Sequence, residues 1–342
     1  LVQELVGDLL LVPQELLSNS FFSVLQPAIG VGSTFQGWSP LDSDAVYCML
    51  MPLEPHLGHA FHGELGTVGQ MSAKGSCVCV ELECTCMRER LVEDMLYFLH
   101  HPKEVLRRNQ TPSFLCTLCT GIYLDVWKTV LWFQKFVRSA WVTGPHLHCY
   151  NIKVLPSSRS CKLQLTDVPR RILIVEMIFG VQRGNSDIFL CSQTTETIFT
   201  PSTTWTESYT VAEVKFFRHV ARQAPHNSFY LMCLQLCAGF VGIGFSTYTL
   251  KTVVMHLLST TPLSGWCRRD FLLQLMDIMH YLCLCLEGKH LDHFFGSENV
   301  PEEIILPPAF QMATPLSLFQ PLAQDPVAHT EALCEFNELQ DQ

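Results

Sequence analysis

Apolar residues in the first part of the chain are spaced in two ways, one typical of helices and the other of strands. Residues 1–20 repeat apolar side chains at intervals of three and four, which predicts a helix, and a Gly-rich turn is expected at 28–33. Short apolar runs between turn residues predict strands. These runs are 42–53, 78–86, 152–155, 162–165, 171–179 and 188–191. Helical spacing returns at 91–106 and 113–140, whereas the His-, Gly- and Pro-rich stretch 54–70 predicts a loop.

The pattern changes near Thr210, after which helical spacing dominates. Four further helices are predicted, at 211–223, 228–242, 246–259 and 269–287. Strands first and helices second predict an α+β fold with two lobes, a mixed-sheet lobe followed by a helical lobe. We therefore expect a lobe over 1–209 that begins with the N-terminal helix, a helical lobe over 210–310, and a partly ordered, acidic, Pro-containing tail over 311–342.

Composition narrows the classes of protein that fit. The chain has 342 residues, of which 48% are hydrophobic and 16% are charged, so it is long and apolar enough to bury a large core. Its net charge of −10 counts against a main role in gripping nucleic acid, because phosphate binding needs clustered Lys and Arg. The 16 cysteines are scattered among apolar runs and are expected to be mostly reduced and buried. The uncharged stretch 229–245 is short for a membrane span and favours a buried helix.

One constellation of residues points to chemistry. Gly32 and Ser33 form a turn whose backbone N–H groups and hydroxyl could hold a triphosphate. Asp42 and Asp44 follow at spacing i, i+2, which in a strand puts both carboxylates on one face. Glu176, alone in an apolar strand, is the candidate third acid, and three such acids could bind Mg²⁺. The alternative for the two aspartates is a solvated turn after a proline.

The order of Gly-Ser, Asp-x-Asp and a strand acid resembles that of nucleotidyltransferase-fold proteins. The later half resembles the helical lobe shared by cyclic GMP-AMP synthase and the male-abnormal-twenty-one domain family. Within that group, the chain is most similar to the inositol 1,4,5-trisphosphate receptor-interacting protein-like branch, and the likeness covers residues 1–310. The segments that carry these likenesses are 37–40, 51–55, 58–62, 205–209, 245–252 and 286–295, together with Trp266 and Asp270.

The resemblance assigns roles to individual side chains. Gly32 and Ser33 match the phosphate-binding position, and Asp42 and Asp44 match metal-binding positions. Glu176 occupies the place of a third acid that is usually Asp in active relatives. Magnesium is therefore the cofactor that the resemblance implies for these acids.

The resemblance also draws attention to two departures from active relatives. Thr247 and Tyr248 match the segment that holds the nucleotide base, with Tyr248 able to stack on it. Active relatives, however, carry a basic residue where this chain has Thr206, and a lysine on the helix that corresponds to 226–242. No Lys or Arg occurs anywhere in 223–250, so cations expected to hold a triphosphate are missing.

These observations predict a regulatory or interaction protein on a nucleotidyltransferase-like scaffold without efficient catalysis. The alternative is an active Mg²⁺-dependent nucleotidyltransferase that makes a nucleotide product. By resemblance, we expect a protein partner such as a membrane receptor, no DNA ligand, and membrane association through a single-pass anchor upstream of Leu1.

Overall fold

The structure is a computed structural model of the chain. It describes residues 2–16, 25–38, 45–55, 59–65, 75–82, 114–143, 150–166, 172–193, 200–239, 246–308, 310 and 317–340. The predicted helix at 91–106 and the aspartates Asp42 and Asp44 lie outside these ranges.

Helices and strands follow one another in the order that the α+β prediction requires. The helices are α1 (Val2–Leu16), α2 (Ser33–Gln36), α3 (Phe114–Thr117), α4 (Val126–Thr143), α5 (Thr210–Gln223), α6 (Tyr230–Gly239), α7 (Thr247–Thr260), α8 (Phe271–Glu287), α9 (Gln320–Gln324) and α10 (Pro326–Gln340). The strands are β1 (Ile29–Val31), β2 (Val46–Leu53), β3 (His59–Leu65), β4 (Gly75–Leu82), β5 (Cys119–Thr120), β6 (Tyr123–Leu124), β7 (Asn151–Leu155), β8 (Cys161–Thr166), β9 (Ile172–Gln182), β10 (Phe189–Cys191) and β11 (Thr204–Ser208).

The described residues divide into two compact units. The first comprises those within Leu1–Val31, Val46–Gly184 and Ile188–Tyr209, and it holds the strands. The second comprises those within Gly32–Ala45, Asn185–Asp187 and Thr210–Gln342, and it holds helix α2 and helices α5 to α10. An early segment of the chain therefore groups with the helices of the C-terminal part.

The strands of the first unit form one mixed sheet. Its main path runs β1-β2-β9-β10-β11-β4-β6-β5, with β3 added beside β4, and β8 and β7 added beside β9. Strands β2 and β9 are parallel, with Val46 opposite Ile174, and every other strand pair in the described part of the sheet is antiparallel. This arrangement confirms the predicted α+β fold class with a mixed sheet and a helical part.

Strand β9 lies at the centre of this sheet, and its apolar sequence explains why. Val175 and the residues from Met177 to Val181 are buried, as expected for a strand covered on both faces. Gly180 leaves space for its neighbours, since a Cβ there would come within 2.7 Å of Leu50 Cδ1 and 3.2 Å of Phe189 Cδ1. A side chain at this position would therefore overpack the centre of the sheet.

The predicted helix over 113–140 is interrupted, and this part of the prediction was wrong. Strands β5 and β6 form a hairpin at Gly121, whose φ of 65° suits glycine. Helix α4 then starts after Asp125, which accepts hydrogen bonds from Lys128 N (3.0 Å), Thr120 Oγ1 (2.7 Å) and Ser202 Oγ (2.8 Å). Burial alone would raise the pKa of Asp125, but these hydrogen bonds and the Lys128 charge together lower it.

Helices α5 to α8 surround an aromatic core in the second unit. Phe216 contacts Phe217 and Phe294 in edge-to-face geometry, with ring centroids 5.5 and 4.8 Å apart, and Phe294 contacts Phe295 at 5.4 Å. The predicted helices at 211–223, 228–242, 246–259 and 269–287 correspond to α5, α6, α7 and α8. Within the described part of the chain, no helix combines the length and apolar character needed to cross a bilayer.

Candidate functional site

The predicted phosphate-binding turn lies at the start of a single helical turn in the second unit. Gly32 has a φ of 82°, a value that a residue with a side chain rarely adopts. Helix α2 follows, with Gln36 N donating to Gly32 O and Trp38 N donating to Ser33 O, both at 3.1 Å. Ser33 is half-buried at the first position of this turn. Of the predicted turn at 28–33, Ile29–Val31 instead form strand β1, and Gly32 links that strand to the helical turn that begins at Ser33.

A series of hydrogen bonds between buried polar side chains links this turn to helices α5 and α7. Trp38 Nε1 donates to Gln36 Oε1 at 2.8 Å, and Gln36 Nε2 donates to Glu213 Oε2 at 3.3 Å. Lys251 Nζ is the last group in this series, and it donates to Glu213 Oε2 in an ion pair. Glu213 is 1% exposed and Lys251 is 8% exposed, so the pair is nearly removed from water.

The predicted base-stacking residue, Tyr248, lies beside Lys251. The Lys251 ammonium is 5.9 Å from the ring centroid of Tyr248 and 6.0 Å from that of Trp38, within the range of cation–π attraction. Tyr248 is half-buried, and its hydroxyl lies 2.5 Å from His293 Nε2. Thr247 is exposed at the start of α7. The structure therefore groups Tyr248 with Trp38 around one lysine.

Lys251 and Glu213 were not among the predicted site residues. Lys251 is the first cation after the stretch 223–250, and it follows Tyr248 by three positions, which places the two on one face of a helix. Glu213 is the acid in the first turn of α5, among buried apolar residues. Each residue could therefore have been noticed in the sequence. Their ion pair could not, because it depends on the packing of helix α5 against helix α7.

The charge of this lysine is already compensated within the fold. Glu213 is its anionic partner, and the two aromatic faces supply further negative potential. Removing two charges from water is offset only when each charge has close partners, as it has here. An incoming anion would therefore have to compete with Glu213 for Lys251.

The candidate third acid lies in the first unit and also has partners of its own. Glu176 is 9% exposed on β9. Its Oε1 accepts a hydrogen bond from Ser160 Oγ at 2.7 Å, and its Oε2 lies 3.4 Å from Lys162 Nζ. Lys162 is directly opposite Glu176 in the β8–β9 register, so the pairing follows from strand alignment. These contacts explain how a carboxylate is accommodated in an otherwise apolar strand.

Strand β11 contains Thr206, the position at which the sequence resemblance predicts a cation in an active enzyme. The next residue, Glu207, forms an ion pair with Arg183 and accepts a hydrogen bond from Tyr209 Oη. Burial and the nearby Glu207 charge raise the pKa of Tyr209. The Arg183 cation near this strand is therefore engaged by a carboxylate of the same unit.

Of the three predicted Mg²⁺ ligands, the structure describes Glu176. Among the side chains that the structure describes, no group of three or more His, Cys, Asp or Glu is arranged to hold a metal ion. Two of the three acids of the predicted Mg²⁺ site, Asp42 and Asp44, fall outside that set, and magnesium binding stays a prediction. The described cysteines are free thiols, and burial raises the pKa of Cys161 and Cys191 to about 12, which makes them unreactive at neutral pH.

Fold and site together define a class: an α+β protein with a mixed sheet, a helical unit, and a buried lysine–glutamate pair beside a Gly-Ser turn. No family model matches the chain. The chain is 34% identical to inositol 1,4,5-trisphosphate receptor-interacting protein-like 1 of Rattus norvegicus and 33% identical to that of Mus musculus, in each case over 99% of its own length. It is 27% identical to inositol 1,4,5-trisphosphate receptor-interacting protein of Homo sapiens over 98% of its length.

These comparisons confirm the resemblance to the inositol 1,4,5-trisphosphate receptor-interacting protein-like branch. Over nearly its whole length the chain is a homologue of the inositol 1,4,5-trisphosphate receptor-interacting proteins. It spans 64% of the two rodent relatives and 65% of the human one.

Proposed function

We propose that this protein is a regulatory interaction protein built on a nucleotidyltransferase-like scaffold that does not catalyse efficiently. The observation that carries the proposal is the buried ion pair between Lys251 and Glu213. A nucleoside triphosphate brings about four negative charges, and its binding depends on uncompensated cations. The lysine beside Tyr248 is already held by a carboxylate.

Two further features support this proposal. The stretch 223–250 contains no Lys or Arg that could replace Lys251. The candidate metal ligand Glu176 is held by Lys162 and Ser160, which would have to give way to a metal ion. The phosphates of a donor nucleotide would therefore lie near carboxylates, without the cations that normally neutralise the negative charge of a triphosphate.

The alternative is a working Mg²⁺-dependent nucleotidyltransferase, and one observation favours it. Gly32, with a φ of 82°, directly precedes the helical turn that begins at Ser33, and Tyr248 is half-buried. In that case Asp42, Asp44 and Glu176 would hold Mg²⁺, which would supply charge neutralisation at the transferred phosphoryl group.

Thermal unfolding of the full chain with Mg²⁺ and each of the four ribonucleoside triphosphates distinguishes the two functions. We expect no rise in the unfolding temperature, since a ligand that does not bind the native state does not stabilise it. We also expect no new nucleotide product after separation of the mixture. Asp42→Ala tests the predicted site, and Asp277→Ala, at an exposed acid of α8, is the matched control. A shift that Asp42→Ala abolishes and Asp277→Ala keeps would establish the enzyme instead.

We further propose that the partner is a membrane receptor. The names of the relatives describe proteins that interact with the inositol 1,4,5-trisphosphate receptor, and this supports an interaction role here. An affinity column that carries the detergent-solubilised inositol 1,4,5-trisphosphate receptor is expected to retain the full chain. The Asp42→Ala variant is expected to be retained equally, because binding does not require catalysis. Retention no greater than on an unrelated channel would contradict this partner.

Membrane association through a segment upstream of Leu1 is proposed by resemblance, and fractionation of the full-length product tests it.

A further inference from the structure

One face of helix α8 is apolar and exposed to solvent. The helix packs through its buried side chains Gln274, Ile278, Leu282 and Leu286. On the other side it presents what we call the α8 outer face, which consists of Leu272 (69% exposed), Leu273 (59%), Met276 (67%), His280 and Leu284 (52%). Large apolar side chains grouped in this way on a surface are typical of an interaction site.

The charges at the two ends of this helix are opposite in sign. Arg269 precedes the helix, and its side chain is 89% exposed, with Asp270 Oδ1 at 3.6 Å from its Nε. Glu287 ends the helix and accepts a weak hydrogen bond from Cys283 Sγ at 3.7 Å. The helix has 17 residues, so about 26 Å separates the cation from the anion.

We propose that the α8 outer face binds the same face of a second copy of this chain. In an antiparallel, two-fold pairing, Arg269 of each copy lies opposite Glu287 of the other copy. Leu272 and Leu273 at the start of one helix then contact Leu284 near the end of the other helix. A two-fold contact requires this kind of self-complementarity, with one patch serving both copies. The charge pattern therefore selects a second copy as the occupant.

A lipid surface fits the α8 outer face less well. Asp277 and Glu287 are exposed on this helix, and the chain as a whole carries a net charge of −10, so an anionic bilayer would repel it. Contact through one helix from each copy is small compared with stable interfaces, which bury about 1,200–2,000 Å². The dimer is accordingly weak and forms as the protein concentration rises.

Sedimentation of the full chain at about 1 to 100 μM, the range of weak association, tests this pairing. The mass is expected to rise from 38.8 kDa toward twice that value. Leu273→Glu is expected to raise the dissociation constant at least tenfold, because it puts a charge into the apolar contact. Val142→Glu, at a 75% exposed valine of α4, is the matched control and is expected to leave the dimer unchanged.

Charge reversal then tests the antiparallel arrangement. Arg269→Glu and Glu287→Arg are each expected to weaken the dimer about fivefold, and the double variant is expected to recover it, because the pairs are restored with reversed signs. These positions are exposed, so this comparison decides the matter even if Leu273→Glu fails to fold. Either of two results in sedimentation would overturn the proposal: a monomer at every concentration, or a dimer that Leu273→Glu does not weaken. It would also be overturned if the double variant dimerised as weakly as the single variants, or if the chain bound vesicles and Leu273→Glu abolished that binding.

Discussion

Replacing Lys251 by methionine is expected to lower the free energy of unfolding by about 3–5 kcal/mol. The substitution keeps most of the side-chain volume but leaves Glu213, which is 1% exposed, as a buried carboxylate without its cation. Gln36 Nε2 still donates to Glu213 at 3.3 Å, and a single long hydrogen bond does not compensate for a buried charge. Urea denaturation followed by circular dichroism measures the change.

Two further variants show whether the ion pair itself is responsible. The double variant Lys251→Met/Glu213→Leu removes both charges, and we expect it to recover most of the lost stability. Arg222→Met breaks an exposed pair in the same unit, with Arg222 64% exposed, and is expected to have a much smaller effect. If Lys251→Met were no more destabilising than Arg222→Met, the pair would not be buried in solution as it is in the structure.

Trp205→Ala is expected to be equally damaging, at about 3–5 kcal/mol, because it opens a large cavity in the sheet unit. Trp205 is fully buried on β11, and its Nε1 donates to Leu124 O at 2.9 Å. Trp205→Phe keeps part of the volume but removes the hydrogen bond to that carbonyl, and a smaller loss of about 1–3 kcal/mol is expected.

A second tryptophan supplies the control for this prediction. Trp127 lies in the first turn of α4, in the same unit as Trp205, and is 52% exposed. Trp127→Ala removes the same chemical group without opening a cavity, so urea midpoints for the two alanine variants should differ widely. Similar midpoints would show that the strand around Trp205 is not packed as the structure has it.

Long apolar segments were predicted well, because burial alone determines their structure. The run that became β9 has a continuous apolar sequence, and helices α5, α7 and α8 begin and end within about two residues of their predicted limits. Prediction failed where pairing with distant residues decides the conformation. Strand β3 contains His59, His62 and Gly63 and lies within the stretch predicted as a loop, yet it pairs along its whole length with β4.

The candidate site was predictable to a similar degree. Gly32, Ser33 and Tyr248 could be proposed as site residues because each belongs to a local motif. The partners of Glu176 and Lys251 could not, since both depend on which elements lie side by side. Ser160 and Glu213 acquire their roles only when β8 aligns with β9 and when α5 packs against α7. Local motifs therefore identified candidate ligands for a nucleotide, whereas tertiary contacts showed that several of these groups already have partners.

The parallel pairing of β2 with β9 has a consequence for synthesis of the chain. Val46 pairs with Ile174, so the partners are 174 − 46 = 128 residues apart. On a ribosome, β2 must wait for the polypeptide beyond Gln182 to emerge before its parallel neighbour is present, with an apolar edge exposed until then. Nascent chains that stop short of this point should need chaperones, and C-terminal truncations into β9 should give insoluble protein rather than a smaller folded unit.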